Sequence, residues 1–97
     1  MVNATIVKNL RISGRVQGVG FRDALAAEAQ RLGIAGWCRN RSDGSVEALV
    51  AGPDAAINAI IAWAHRGPPA GKVDKVMTTE LTSPGPIAGR FERRPTL

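Results

Sequence analysis

Thr5-Ile6-Val7-Lys8-Asn9-Leu10-Arg11-Ile12-Ser13 runs straight into Gly14-Arg15-Val16-Gln17-Gly18-Val19-Gly20-Phe21-Arg22, and the change of pattern between the two stretches decides the fold. In the first, Ile6, Leu10 and Ile12 are apolar while Asn9, Arg11 and Ser13 are polar, the period-two alternation of a half-buried strand. Three glycines within Gly14 to Gly20 then end it in a loop. Beyond the loop, Asp23 to Leu32 is rich in Ala, Leu and Glu and sets Leu25, Ala29 and Leu32 on one face. That spacing predicts an amphipathic helix, stopped by Gly33.

Working outward, Ile34 to Arg41 and Ser45 to Ala51 flank Asp43-Gly44, a two-residue hairpin signal, with Val46, Ala48 and Val50 on a shared face. Pro53 suits the first turn of a second helix, in which Ile57, Ile60, Ile61 and Ala64 repeat at i, i+3, i+4 and i+7. Gly67-Pro68-Pro69 ends it. Val73 to Leu81 reads as a fourth strand, and Gly89 to Arg93 as a short fifth. The order strand, helix, strand, strand, helix, strand is economically buried as an α+β, ferredoxin-like split βαβ sandwich. It places two helices on one face of a four- to five-stranded antiparallel sheet.

The chain has 97 residues, 44% of them hydrophobic, which leaves room for one core and predicts a single domain over 1–97. Cys38 is the only cysteine, so neither an intramolecular disulfide nor a multi-cysteine zinc site can form. The longest apolar runs, Ala48 to Ala51 and Ala59 to Ala64, fall far short of the roughly 20 residues that span a bilayer. Lys8 and Arg11 lie inside the N-terminal apolar stretch rather than before it, which speaks against a signal peptide. A reduced, cytoplasmic setting is expected. The net charge is +5, and ten of the 13 cations are Arg, the side chain that meets phosphate with a rigid two-toothed fork.

The Gly14 to Arg22 loop can do chemistry for a physical reason. Backbone N–H groups converge on an anion only where side chains do not block the approach, and glycine permits that. The helix that follows adds unpaired N–H groups and a partial positive charge. Arg22 at the helix start opposes the preference for acids there, a conflict that a bound anion would remove. A plain Gly-rich turn with Arg22 in solvent reads the same residues equally well. The loop is not a Walker motif, because no Gly-Lys-Ser/Thr follows, and position 23 is Asp where a dinucleotide fingerprint needs its third glycine. Asn40, just before a tight hairpin, is by itself an ordinary turn residue.

Taken together, Gly14-Arg15-Val16-Gln17-Gly18-Val19-Gly20-Phe21-Arg22, then Gly36-Trp37-x-Arg39-Asn40 and Asp43-Gly44-Ser45-Val46-Glu47, resemble the acylphosphatase family. The similarity runs from about Leu10 to Leu81 and includes Leu32-Gly33-Ile34 and Gly67-Pro68-Pro69. The resemblance implies hydrolysis of acyl phosphates to a carboxylate and inorganic phosphate, without metal or cofactor. It implies that the loop backbone (Arg15, Val16, Gln17, Gly18, Val19, Gly20 and Phe21) and Arg22 hold the phosphate, and that Asn40 holds the attacking water. Cys38 stands where an aliphatic residue is common in the family, and Arg90 to Leu97 match its last strand only loosely.

The chemistry agrees independently. Guanidinium stays protonated, so Arg22 is no general base, and Asn40 has no ionisable proton. A site without a titrating acid cannot easily expel an alkoxide. It can expel a carboxylate, whose conjugate acid has a pKa of roughly 4. The missing acid therefore selects mixed carboxylic–phosphoric anhydrides, with the water's proton passing to a phosphate oxygen. Positioning and charge neutralisation are left to the protein.

Other candidates are weaker. His65, the only histidine, fits the end of a helix. Trp37 and Trp63 read as core, and Arg39 and Arg41 as a solvated edge. The rival function is a small basic RNA-binding module of the same layout, but it needs exposed aromatics for stacking, and four aromatics without a Tyr are few. The expected partners are a small acyl phosphate and, as competing anions, inorganic phosphate or sulfate. A monomer is expected, with no membrane and no nucleic acid.

Overall fold

The alternation over Ile6, Leu10 and Ile12 becomes β1 (Ile6–Arg15), in which Leu10 and Ile12 are fully buried. The computed structural model describes residues 5–82, 87 and 89–97. After the glycine loop comes α1 (Phe21–Arg31), then β2 (Ala35–Asn40), β3 (Val46–Gly52), α2 (Asp54–Arg66), β4 (Lys72–Glu80) and β5 (Phe91–Arg93). The strands form one sheet in the order β4-β1-β3-β2-β5.

α1 starts two residues earlier than its apolar spacing suggests, because Phe21 is the first residue to dive into the core. It ends as expected. The Ile34 N–H reaches back to Ala29 O at 2.9 Å and the Gly33 N–H to Gln30 O at 3.1 Å, the paired bonds of a Schellman stop. Pro53 stands at the N-cap of α2, one residue ahead of the first helical position. Ile57, Ile60 and Ala64 of α2 meet Leu25, Ala26 and Ala29 of α1 and the inner residues Leu10, Ile12, Cys38, Val46, Ala48 and Val50 of the sheet in one cluster. Each fully buried large aliphatic contributes about 1.5–3 kcal/mol.

Two expectations need correction. The sheet is mixed: β1, β3, β4 and β2 pair antiparallel, but β5 runs parallel to β2, with Gly36 opposite Phe91 and Cys38 opposite Arg93. Period-two alternation says that a segment is a strand but not which way it runs, and burial of Phe91 is what docks this one. The pairing continues past β5, where the Arg94 N–H donates to Cys38 O at 2.8 Å and the Leu97 N–H to Asn40 O at 3.1 Å. The Asp43-Gly44 connection is also wider than two residues. The Arg41 N–H bonds Ser45 O at 2.8 Å and the Gly44 N–H bonds Arg41 O at 3.1 Å, so residues 41–45 form the turn. Asp43 stabilises it by accepting from the Ser45 N–H at 2.9 Å and the Ser45 hydroxyl at 2.6 Å. Those two bonds hold the Asp43 carboxyl below its ordinary value.

Candidate active site

Val16 and Phe21, each 1% exposed, pin the two ends of the glycine loop into the core. Between them Gly18 and Gly20 adopt φ of +74° and +77°, left-handed values that side chains disfavour. A Cβ at either would meet nothing within 4 Å, so glycine is needed here for its dihedrals and not for its lack of bulk. Gly20 is also the N-cap of α1, and no side chain of the described residues caps the helix. The first intrahelical bond is from the Ala24 N–H to Gly20 O at 3.0 Å. The N–H groups of Phe21, Arg22 and Asp23 are therefore left without helical acceptors, at the positive end of the helix.

The residues that carry them help to line a cavity of about 130 Å³, together with Val16, Gly18, Gly20 and Asn40. Arg22 is half-buried, and the one hydrogen bond of its guanidinium to the described residues goes from Nη1 to Arg94 O at 3.4 Å. The neighbouring acid, Asp23, is paired with Arg93, so its charge does not cancel that of Arg22. Asn40 closes the other wall as the last residue of β2. Its Oδ1 is buried and has no hydrogen-bond partner among the described residues. An orphaned buried acceptor costs about 1–3 kcal/mol, and such groups call for a ligand or a strained, functional setting.

Arg22 and Asn40, far apart in sequence, thus face one cavity together with the loop residues Val16, Gly18, Gly20 and Phe21. Arg15, Gln17 and Val19 are not in its wall. Arg15 is exposed, and Val19 packs against the core. Gln17 Nε2 instead donates to Arg41 O at 2.8 Å and Ser45 O at 2.9 Å, tying the glycine loop to the turn that follows Asn40.

Arg39 and Arg41 are not a solvated edge. Both bind the carboxylate of Glu47, a residue only 8% exposed, and Asn9 binds its other oxygen. Burial alone would raise the Glu47 carboxyl, but the bonds from Asn9, Arg41 and Arg39 outweigh it and hold the group below its ordinary value. Trp37 is likewise not core. It lies on the sheet face away from the helices, with the guanidinium carbons of Arg39 and Arg94 at 4.6 Å and 5.0 Å from its ring centroid. Trp63 does join the core cluster, edge-on to Phe21 at 5.4 Å. His65 is exposed in the last turn of α2. Burial pushes the Cys38 thiol up to about 12, so it is no nucleophile at neutral pH. Among the described residues no three His, Cys, Asp or Glu side chains cluster as metal ligands, and no helix is long and apolar enough to cross a membrane.

Fold and cavity define a small α+β sandwich with a cavity between a glycine loop and a strand end. The Acylphosphatase family model matches residues 8–92. The acylphosphatase of Acidovorax sp. (strain JS42) is 49% identical over 97% of this chain and 95% of its own length. That of Thiobacillus denitrificans is 52% identical over 89% and 93%. The crystal structure of the Bacillus subtilis acylphosphatase superposes with a TM-score of 0.86 at 37% identity, covering 92% of this chain and 98% of that one. The chain belongs to the acylphosphatase family. It hydrolyses acyl phosphates. The RNA-binding reading has no support in the fold either: Phe21 and Phe91 are buried, Trp63 packs on the helix side, and the Trp37 ring carries two guanidiniums.

Proposed function

We propose that hydrolysis takes place in the 130 Å³ cavity, with the phosphate held by backbone N–H groups of the loop residues that line it, Val16, Gly18, Gly20 and Phe21, and by Arg22, and the attacking water held by Asn40. The observation that carries this reading is one convergence. Helix N–H groups without helical acceptors, a guanidinium whose one hydrogen bond among the described residues is to a carbonyl, and a carboxamide with an orphaned Oδ1 belong to residues that line the same small space.

Acyl phosphate brings its charge with it, so the site stabilises charge that is already there and that redistributes as the bond to the carboxylate breaks. Arg22 offers a planar fork to two phosphate oxygens, and the helix N-terminus and the left-handed glycines aim N–H groups at the remainder. Asn40 offers a water the N–H donors of its carboxamide. Held on the side opposite the acyl oxygen, that water attacks in line. Its proton passes to a phosphate oxygen, and the carboxylate leaves unprotonated. No general acid is required, since the leaving group's conjugate acid has a pKa of roughly 4. Neither metal nor cofactor takes part, the enzyme works as a monomer in the cytoplasm, and phosphate and sulfate compete for the cradle.

Turnover of benzoyl phosphate beside an alkyl phosphate tests the reading. The anhydride is hydrolysed and inhibited competitively by phosphate, while the ester binds but barely turns over. Comparable turnover of the two would refute the leaving-group argument, and non-competitive phosphate would place the anion site elsewhere.

A further inference from the structure

Asn40 sits between two arginines that share one carboxylate oxygen. Arg39 Nε and Arg41 Nη1 each donate to Glu47 Oε1 at 2.9 Å, and Asn9 Nδ2 donates to Oε2 at 3.0 Å. Successive side chains of a strand point to opposite faces. Cys38 and Asn40 therefore face the helices and the cavity, while Arg39, opposite Glu47 in the register, faces the other side. A single buried anion thus grips both neighbours of Asn40 from behind the sheet. From in front, the Gln17 carboxamide grips Arg41 O and Ser45 O. Asn40 itself makes no side-chain bond to the described residues that would fix its carboxamide, and its Oδ1 is orphaned. Its aim must come from its backbone.

We infer that Glu47 is a positioning residue for the reaction: through Arg39 and Arg41 it sets the direction in which Asn40 presents its carboxamide to the attacking water. This rests on the role given to Asn40 above. The competing role for Glu47 is purely structural, a buried ion pair that merely avoids unpaired charge, and such pairs are a poor source of net stability. The two roles differ in what they move. A positioning role acts on the chemical step and vanishes when Asn40 is gone. A structural role acts on the melting temperature and is the same with or without Asn40.

The test is a double-mutant cycle in the full chain with benzoyl phosphate. Glu47→Gln keeps the shape and one acceptor and removes the charge that draws both arginines together. Its kcat should fall about tenfold, within the ~10²-fold that a misplacement of ~1 Å can cost. KM and the phosphate inhibition constant should stay within about twofold, because the loop and Arg22 are untouched. In the Asn40→Ala background the same substitution should change kcat by less than about twofold. An equal loss in both backgrounds, with Asn40→Ala itself strongly impaired, overturns the Glu47 inference and leaves the Asn40 role standing. Near-normal turnover of Asn40→Ala overturns both. If Glu47→Gln fails to fold, Arg41→Gln takes its place, since it leaves Glu47 paired to Arg39 and Asn9. It should show the same kcat-only loss at smaller size, and an unchanged kcat would overturn the inference.

Discussion

Replacing Gly20 by alanine isolates the backbone part of the proposed phosphate cradle. Gly20 has φ +77°, and a Cβ built there meets nothing within 4 Å, so the substitution carries no packing cost. What remains is the dihedral cost of holding an L residue in the left-handed region, about 1–2 kcal/mol. The chain can respond in two ways. It can keep the loop and carry the strain, in which case the melting temperature falls by roughly 4–8 °C per kcal/mol for a domain of this size. Or it can relax the loop, lose the convergence of the helix N–H groups, and weaken phosphate inhibition by up to about 5–30-fold, the equivalent of the same energy. Thermal melts and phosphate inhibition constants measured together catch the cost in either form. D-alanine in place of Gly20, installed by chemical synthesis, is the control. Its mirror-image preference favours positive φ, and the open space accepts its methyl, so inhibition should match wild type. Its melting temperature should hold or rise, in line with the ~0.4–1 kcal/mol gained by restricting the unfolded chain. If L-alanine changes neither quantity, or D-alanine is as damaging as L-alanine, the left-handed glycine is not what builds the cradle.

Asn40→Ala should leave the phosphate inhibition constant within a few-fold of wild type while kcat falls about a hundredfold or more, ~3 kcal/mol, with melts confirming that the variant is folded. Excess EDTA should leave the rate unchanged, and a loss restored by Mg²⁺ would contradict the metal-free mechanism. Glu47 predicts an acid-side stability loss. A carboxyl held below its ordinary value of about 4.3 contributes stability above that pH and loses it as pH falls through the lower folded value. The unfolding free energy from urea melts should therefore fall less steeply with decreasing pH in Glu47→Gln than in wild type; identical pH dependence would count against the depressed carboxyl.

Much of this was legible from local pattern. Alternation marks β1, the spacing of Leu25 and Ala29 marks α1, and the glycine loop with Arg22 marks residues that line the cavity. The failures share one cause, that contacts distant in sequence leave no local period. A two-residue loop at Asp43-Gly44 would set Ser42 opposite Ser45 and so Asn40 opposite Glu47. The wider turn shifts the register by one and brings Arg39 opposite Glu47 instead. That single step hid the carboxylate that binds Arg39 and Arg41, and such a slip reassigns every cross-strand partner. Gln17 could be placed in the loop but not its side chain, whose partners are carbonyls 24 and 28 positions away. The direction of β5 rests on a three-residue ladder and one buried Phe91, too little for any pattern to carry. Apolar spacing does not distinguish a buried ring from one covered by arginines, so it reads Trp37 as core although two guanidiniums lie over its ring.

The central claim is that one cavity holds the phosphate through Arg22 and the helix N-terminus. Steady-state kinetics of benzoyl phosphate hydrolysis with phosphate as inhibitor, run on wild type, Arg22→Lys and Arg22→Ala, test it most directly. The fork meets a phosphate that is anionic before and during reaction, so its loss should raise the inhibition constant and lower kcat together, the latter by ~10²–10³-fold for alanine. Lysine should rescue little, because a point charge lacks the planar fork. A folded Arg22→Ala variant with wild-type inhibition and turnover would contradict the account and put the phosphate elsewhere.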